Sequence, residues 1–477
     1  MGVKMNQVEL PQCNRREFLR MLGCSALLLG GATISNAKTK QRPNIIFILT
    51  DDQRFDAMGC AGNPLIRTPN IDSLAARGVR FDHAYVTCAV CSPSRAACLT
   101  GRYGSANGVT TLDRPLNKGE LTFAHFLARA GYQTGCIGKW HLDTPPAECG
   151  FNTAKIFQGN GPYFNRLVEA DGEKKNIPGF VEDYIAGQSL EFIRAALRKK
   201  APFALWMCTQ LPHMTPEFDW DVREETLALY SQAAMPVPAS WQDDLTGKPP
   251  YLKEGRSRLK AQQFGYAKKE AVQRHLQRYY GAVTEVDASI GRVLKAVQEL
   301  GLNDNTWFIL MGDNGWFLGE HGFTSKVLAY EESIHVPMII AGPGLKHRVD
   351  KHLVLNIDLA TTILDLAGIP VPANMHGKSL LPLLTGRDAK WRKSFLYEAP
   401  TPTLGSRPLM AVRTNKWKYI RTYDIEKPSS AEFEELYDME NDAIEMKNLA
   451  GDKAYAGIVR HLAAELERLR GSLKDKR

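Results

Sequence analysis

Two short runs of oxygen ligands stand out in the chain. Asp51-Asp52 follow the apolar run 44–49, and Asp313-Asn314 follow the run 306–311. Three carboxylates and an amide oxygen make an all-oxygen set, the kind that holds a hard divalent cation such as Ca²⁺ or Mg²⁺. Aspartates after strands are also common turn formers, so one pair says little. Two pairs at two strand ends point to a metal. Other chemistry-bearing groups take similar places. Gly138-Lys139-Trp140-His141 sets Lys139 and His141 two apart, on one face if the segment is extended. His213 follows the run 203–208. Cys91-Ser92-Pro93-Ser94-Arg95 is the sharpest local pattern. Ser92 reads as a helix cap and Pro93 as a first-turn residue. Cys91 is then expected just before a helix N-terminus, where free N–H groups and the dipole favour anions. A buried thiol or a disulfide with Cys88 is the other reading of that cysteine.

These residues need elements to position them. Residues 44–49 are almost continuously apolar and rich in Ile, as in a parallel strand buried on both faces. Residues 133–137, 203–208 and 306–311 read as further strands. A helix is expected from Thr68 as cap and Pro69 as first-turn residue, ending at Gly78. Others are expected over 287–300 and 358–367, closed by Gly301 and Gly368. Strands alternating with helices predict an α/β domain, in which ligands bind beyond the carboxyl ends of parallel strands. Residues 214–263 are polar, contain proline and lack periodicity. They read as an insertion over one sheet edge that shapes a binding site. After about Gly377 the runs 395–397, 410–413 and 417–420, with a charged helix over 455–469, predict a small antiparallel sheet plus helix. No internal repeat is visible.

Composition narrows the class. The 477 residues are 44% hydrophobic and 23% charged, which excludes disorder, collagen and coiled coil as the main architecture. The net charge of +8 is spread along the chain, not gathered in blocks. It fits plain solubility or an anionic substrate, and no nucleic-acid partner is expected. Nine cysteines are too few for a disulfide scaffold of this length. At the N-terminus, Arg15-Arg16 precede a charge-free apolar stretch over 21–33, and Ser35-Asn36-Ala37 supplies small residues for cleavage. The stretch is too short for a membrane span. Residues 1–37 resemble a twin-arginine signal peptide, which implies export machinery as a partner and a periplasmic or extracellular destination. That route carries folded proteins, so any modification made during folding would happen in the cytoplasm.

Cys91-Ser92-Pro93-Ser94-Arg95 followed by Leu99-Thr100-Gly101-Arg102 resembles the signature of type I sulfatases, of the alkaline phosphatase superfamily. Arg42-Pro43-Asn44-Ile45-Ile46, Leu49 to Gln53, Gly138 to His141, Pro212-His213, Gly319-Glu320-His321-Gly322, Lys326, Tyr330 to Ser333 and Glu435 to Asp438 support the resemblance. It implies an alkaline-phosphatase-like α/β fold, with a large mixed sheet flanked by helices over 38–376. A small C-terminal antiparallel sheet plus helix would occupy 377–477. It also implies Cys91 oxidised to formylglycine by a maturase, and one Ca²⁺ held by Asp51, Asp52, modified Cys91, Asp313 and Asn314. Residues 150–165 and the insertion after His213 resemble bacterial carbohydrate sulfatases, which points to sulfated sugars of the N-acetylglucosamine-6-sulfate type.

The chemistry of a sulfate ester assigns the remaining parts. Its negative charge repels nucleophiles and its alkoxide leaves poorly. The metal with Lys139 and Lys326 would hold the sulfate oxygens. Hydrated formylglycine offers two hydroxyls on one carbon. One attacks sulfur, and loss of the other's proton, a role matching His141, expels sulfate. The resemblance gives His213, with Lys326, the protonation of the leaving oxygen, and Arg95 would orient residue 91. His321 reads either as a substrate contact or as a structural loop residue. The rival functions are a phosphonate or phosphodiester hydrolase of the same superfamily and a catalytically silent glycan-binding homologue.

Overall fold

The computed structural model describes residues 42–474, apart from 171, 388–389 and 428–429. The proposed signal peptide lies outside the described residues. A mixed sheet of ten strands forms the centre. Its five middle strands are parallel and run in the order Thr306–Gly312, Asn44–Thr50, Phe203–Cys208, Gln133–Lys139, Thr153–Phe157. Antiparallel neighbours begin on either side, at Met338–Ala341 and at Leu167–Ala170. Parallel pairing places the carboxyl ends along one edge. Thr50 is level with Gly312, and Leu49 is level with both Met311 and Cys208. Lys139 is level with Phe157. The residues that follow these ends therefore meet.

Alternation within the first strand divides the core in two. Ile45, Phe47 and Leu49 face one layer, and Ile46 and Ile48 face the other. The first layer holds the helices Cys91–Thr100, Phe123–Arg129 and Asp358–Leu366. The second holds Pro69–Ala76, Val181–Arg198 and the long helix Lys269–Glu299. Strands sandwiched this way are apolar on both faces, which is why they read so clearly in the sequence. A four-stranded antiparallel sheet, from Ser394–Ala399 to Ala431–Asp438, and the helix Ala456–Lys474 complete the described chain. Its strands meet the loop at Tyr330 through buried charges. Lys418 Nζ lies 2.8 Å from both Glu331 and Glu445, and Tyr330 donates to Glu435 at 2.7 Å.

Several expectations are corrected. The cap of the Cys91 helix is Val90, with no side-chain hydrogen bond, and Cys91 is the first helical residue. Ser92 instead donates to the His141 carbonyl at 2.6 Å, so its hydroxyl ties the first helical turn to the loop after Lys139. Thr68 does precede the Pro69 helix, but its hydroxyl accepts from the Gly59 amide instead of capping the helix. That helix ends at Ala76, and Gly78 opens a strand that leaves no room for a Cβ beside Ile340 and Ala341. The helix expected from 287 starts at Lys269. Its early turns carry Tyr279 and Tyr280 against the 214–263 segment. That segment is anchored on the long helix, with Trp220 edge-on to Tyr279 and Arg223 2.9 Å from Glu285.

Gly138 shows how tightly the site-bearing strands are joined. Its φ is 103°, and an added Cβ would lie 1.8 Å from the Cys208 carbonyl oxygen. Gly138→Ala is expected to cost more than about 3 kcal/mol and to lower the thermal unfolding midpoint by several degrees. A midpoint within about 1 °C of wild type would contradict this packing.

Candidate active site

The carboxyl edge of the sheet gathers the charged side chains into a buried cluster. Asp51, Arg95, Lys139, Asp313 and Asn314 are fully enclosed, and Asp52, Cys91 and Lys326 nearly so. One ligand atom from each of Asp51, Asp52, Cys91 and Asp313 lies within 4.8 Å of the others. Such crowding of like charges survives only if cations are fixed among them. Arg95 reaches from the buried helix and places Nε 3.0 Å and Nη2 2.8 Å from Asp313 Oδ2. Its third nitrogen donates to the Lys139 carbonyl at 2.7 Å. Lys139 Nζ pairs with Asp51, and Lys326 Nζ pairs with Asp52. The helix carrying Cys91 is thereby locked to two strand ends.

Cys91 Sγ stands at the meeting point, 2.9 Å from Lys326 Nζ, 3.8 Å from Lys139 Nζ and 3.4 Å from Asp51 Oδ1. Burial and the Asp51 charge push its thiol up to about 12, so the thiol itself is a poor nucleophile at neutral pH. Among the described residues no cysteine is paired; Cys88 is a buried free thiol, which removes the disulfide reading. Cys60 is partly covered, while the other free cysteines are buried. The acids differ among themselves. Burial opposes the charge on Asp51, but Lys139, His213 and Arg95 hold it well below the usual carboxylate range. Burial and repulsion from Asp51 push Asp313 up to about 7. A divalent cation would relieve that repulsion. Asp52 Oδ2 makes no hydrogen bond in its buried position, and Asn314 offers Oδ1 3.3 Å from Lys326. These donors fit a hard cation.

Both histidines expected at the site sit beside the cluster. His213 Nδ1 is engaged by the Met214 carbonyl at 2.7 Å, and Nε2 lies 3.5 Å from Asp52 Oδ2. His141 is in left-handed conformation at φ 56°, so Lys139 and His141 do not share the extended geometry expected of them. Burial and the neighbouring Lys139 and Arg95 charges push the His141 imidazole down to about 2. His321 takes the structural alternative. It is fully buried, and Nδ1 is 2.7 Å from Asp243 Oδ2. Asp243 in turn lies 3.2 Å from Lys248. Sequence reading missed Asn160, whose Oδ1 is 3.4 Å from Lys139 Nζ, and Trp316, whose ring faces Lys326 Nζ at 5.6 Å. It also missed Asp243. A polar residue in an aperiodic segment gives no signal of its own, because its partner is 78 positions away.

The chain that carries this site has relatives among known proteins. The sulfatase family model matches residues 43–369. The chain belongs to the sulfatase family. A second model, the C-terminal region of N-sulphoglucosamine sulphohydrolase, matches residues 319–472. An N-acetylglucosamine-6-O-sulfatase of Bacteroides thetaiotaomicron is 32% identical, over 95% of this chain and 91% of the relative. An arylsulfatase of Clostridium perfringens is 30% identical, over 88% of this chain and 93% of its own length. A solved structure of a protein in complex with its substrate, D-glucosamine-2-N,6-O-disulfate, has a TM-score of 0.82 and 31% identity. It covers 91% of this chain and 99% of that one. This sulfatase therefore has the alkaline-phosphatase-like fold expected of it.

The Asp243–His321 contact yields a pH dependence. In the fold Asp243 stays charged down to about 2, against 3.8 for an ordinary aspartate, although burial opposes this. Its share of stability is complete above about pH 4 and fades as pH falls toward about 2. In urea unfolding, Asp243→Asn should be weaker than wild type near neutral pH, with the gap narrowing on acidification. A gap unchanged between about pH 6 and about pH 3 would refute the assignment.

Proposed function

We propose that this sulfatase hydrolyses sulfate monoesters on amino sugars of the N-acetylglucosamine-6-sulfate type, with residue 91 as formylglycine and a Ca²⁺ ion beside it. The observation that carries the reading is the position of Cys91 Sγ, between Lys326 Nζ and Lys139 Nζ and against Asp51. The named substrates of the amino-sugar relatives support the sugar class.

Asp51, Asp52, Asp313 and Asn314 would hold the ion, next to residue 91. When bound, Ca²⁺ supplies Lewis-acid charge that offsets the anionic ester and its leaving oxygen. The hydrated aldehyde at position 91 supplies the attacking oxygen and a second hydroxyl for release of sulfate. Around these groups the chain's own side chains position and neutralise. Lys139 and Lys326 bring two ammonium groups to the atom of attack, where sulfate oxygens would lie. Arg95, held by Asp313, keeps the first helical turn from shifting. His213 has Nδ1 engaged by a carbonyl, which orients Nε2 toward the site and suits it to hand a proton to the departing oxygen. His141 is kept neutral by burial and the neighbouring cations; to accept the proton that leaves residue 91 when sulfate is expelled it needs the negative charge of the bound ester, which offsets those cations and raises its basicity. Conversion of Cys91 by a maturase and export through residues 1–37 to the periplasm or beyond complete the reading.

Mass spectrometry of the tryptic peptide 81–95 from a preparation releasing sulfate from N-acetylglucosamine-6-sulfate should find Cys91 converted. Active protein with an intact thiol would overturn the mechanism. Activity on small aryl or choline sulfates alone would overturn the sugar class, and faster cleavage of an aryl phosphonate would favour the phosphonate hydrolase. For the metal, Ca²⁺ added to chelator-treated protein at 100 times its Kd should stabilise it by about 2.7 kcal/mol. Asp52→Asn should weaken that rise in thermal midpoint. A midpoint indifferent to Ca²⁺ would remove the ion from the reading.

A further inference from the structure

A cavity of about 400 Å³ opens beside His213, Trp316 and Lys326. This is space for one sugar ring with its substituents. Its far wall is built from Phe218, Arg256, Lys260 and Phe264, and none of these is needed to break a sulfate ester. Arg256 and Lys260 lie one turn apart on the helix Arg256–Gln263. Side chains at that spacing share a face, and like charges there repel. Both are partly buried. Among the described residues neither forms an ion pair with a carboxylate, and the hydrogen bond of Arg256 is a long one, 3.4 Å to the Ser325 hydroxyl. Burial lowers the guanidinium's affinity for its proton, as expected of a cation that has left water without finding an acid.

The surroundings hold this arrangement in place. Lys260 Nζ sits 4.3 Å over the Phe218 ring, which is itself 42% exposed at the cavity and in left-handed conformation at φ 61°. A non-glycine residue kept there stores strain, which the surrounding structure must over-determine. Phe218 packs against Phe264 with centroids 5.8 Å apart. Behind Arg256, any Cβ at Gly405 would come within 2.5 Å of the Arg256 Cβ, so the glycine lets the loop close on the helix. Two unneutralised cations on one face of a ligand-sized cavity are destabilising alone and are relieved by an anion between them. The scissile sulfate cannot be that anion, because it belongs with Lys139 and Lys326 around residue 91. We propose that Arg256 and Lys260 form a specificity subsite for a second anionic substituent, sulfate or sulfamate, on the sugar whose sulfate ester is cleaved. Phe218 then covers the apolar face of that sugar ring. The favoured substrate is a doubly charged amino sugar. This rests on the amino-sugar reading above and sharpens it.

Two sugars that differ only at the nitrogen test the subsite: D-glucosamine-2-N,6-O-disulfate and N-acetylglucosamine-6-sulfate. Binding is measured by calorimetry on a full-length Cys91→Ser chain, which needs no turnover. The parent should bind the disulfate at least about tenfold more tightly. R256Q/K260Q should bring the two affinities within about threefold of each other, chiefly by weakening the disulfate. R256K/K260R should keep most of the preference. A parent that binds both sugars equally, or binds neither, overturns the subsite. So does a double variant that loses both in the same proportion, the mark of a purely structural role. Sulfate release by the formylglycine form is read separately. Preference in binding without release from either sugar would sink the reaction and leave the subsite standing. Release without preference would do the reverse.

Discussion

Three carboxylates share a space from which water is largely excluded, and everything around them answers that constraint. Asp51, Asp52 and Asp313 are almost completely enclosed. Each is met by a cation from a different part of the chain: Lys139 for Asp51, Lys326 for Asp52 and Arg95 for Asp313. Removing one member of such a group leaves an uncompensated buried charge. The cations are fixed in turn. Arg95 holds the Lys139 carbonyl, and Lys326 contacts Asn314. The electrostatic balance is therefore also the mechanical frame of the site.

That frame rests on the parallel sheet. Five strands end level with one another, so side chains far apart in sequence converge without long loops. Several positive φ values gather in the segments that follow those ends. Asp52, His141, His321, Ser325 and Val327 are all left-handed. Backbone strain of this kind gathers where geometry is over-determined by its surroundings. Ser92, in the first turn of the Cys91 helix, reaches across to one of these segments and donates to the His141 carbonyl.

Much of this was legible in the residues. Strands buried on both faces advertise themselves, and the run 203–208 coincides with Phe203–Cys208. Asp51, Asp52, Asp313 and Asn314 were legible because carboxylates directly after such runs are a local signal. What stayed hidden depends on tertiary contact. Val90 carries no capping side chain, so nothing announced the true start of the Cys91 helix. Glu173–Asn176 is a wholly exposed strand with no apolar alternation. The first half of the long helix Lys269–Glu299 is masked by polar residues whose aromatic neighbours bind the preceding segment. Arg256 and Lys260 fall in the polar, aperiodic stretch 214–263, which carries no signal of its own. Only the fold shows that their helix closes a cavity.

The order of strands has a consequence for the making of the enzyme. The first strand, Asn44–Thr50, pairs on one side with Phe203–Cys208 and on the other with Thr306–Gly312. The second partner leaves the ribosome some 260 residues after the first strand begins. Until it docks, the middle of the sheet has an open edge, and Arg95 lacks the Asp313 carboxylate. Cys91 is 2% exposed once everything is in place. On the proposed reading, a maturase would have a window set by translation and docking times, and the finished fold would shut it.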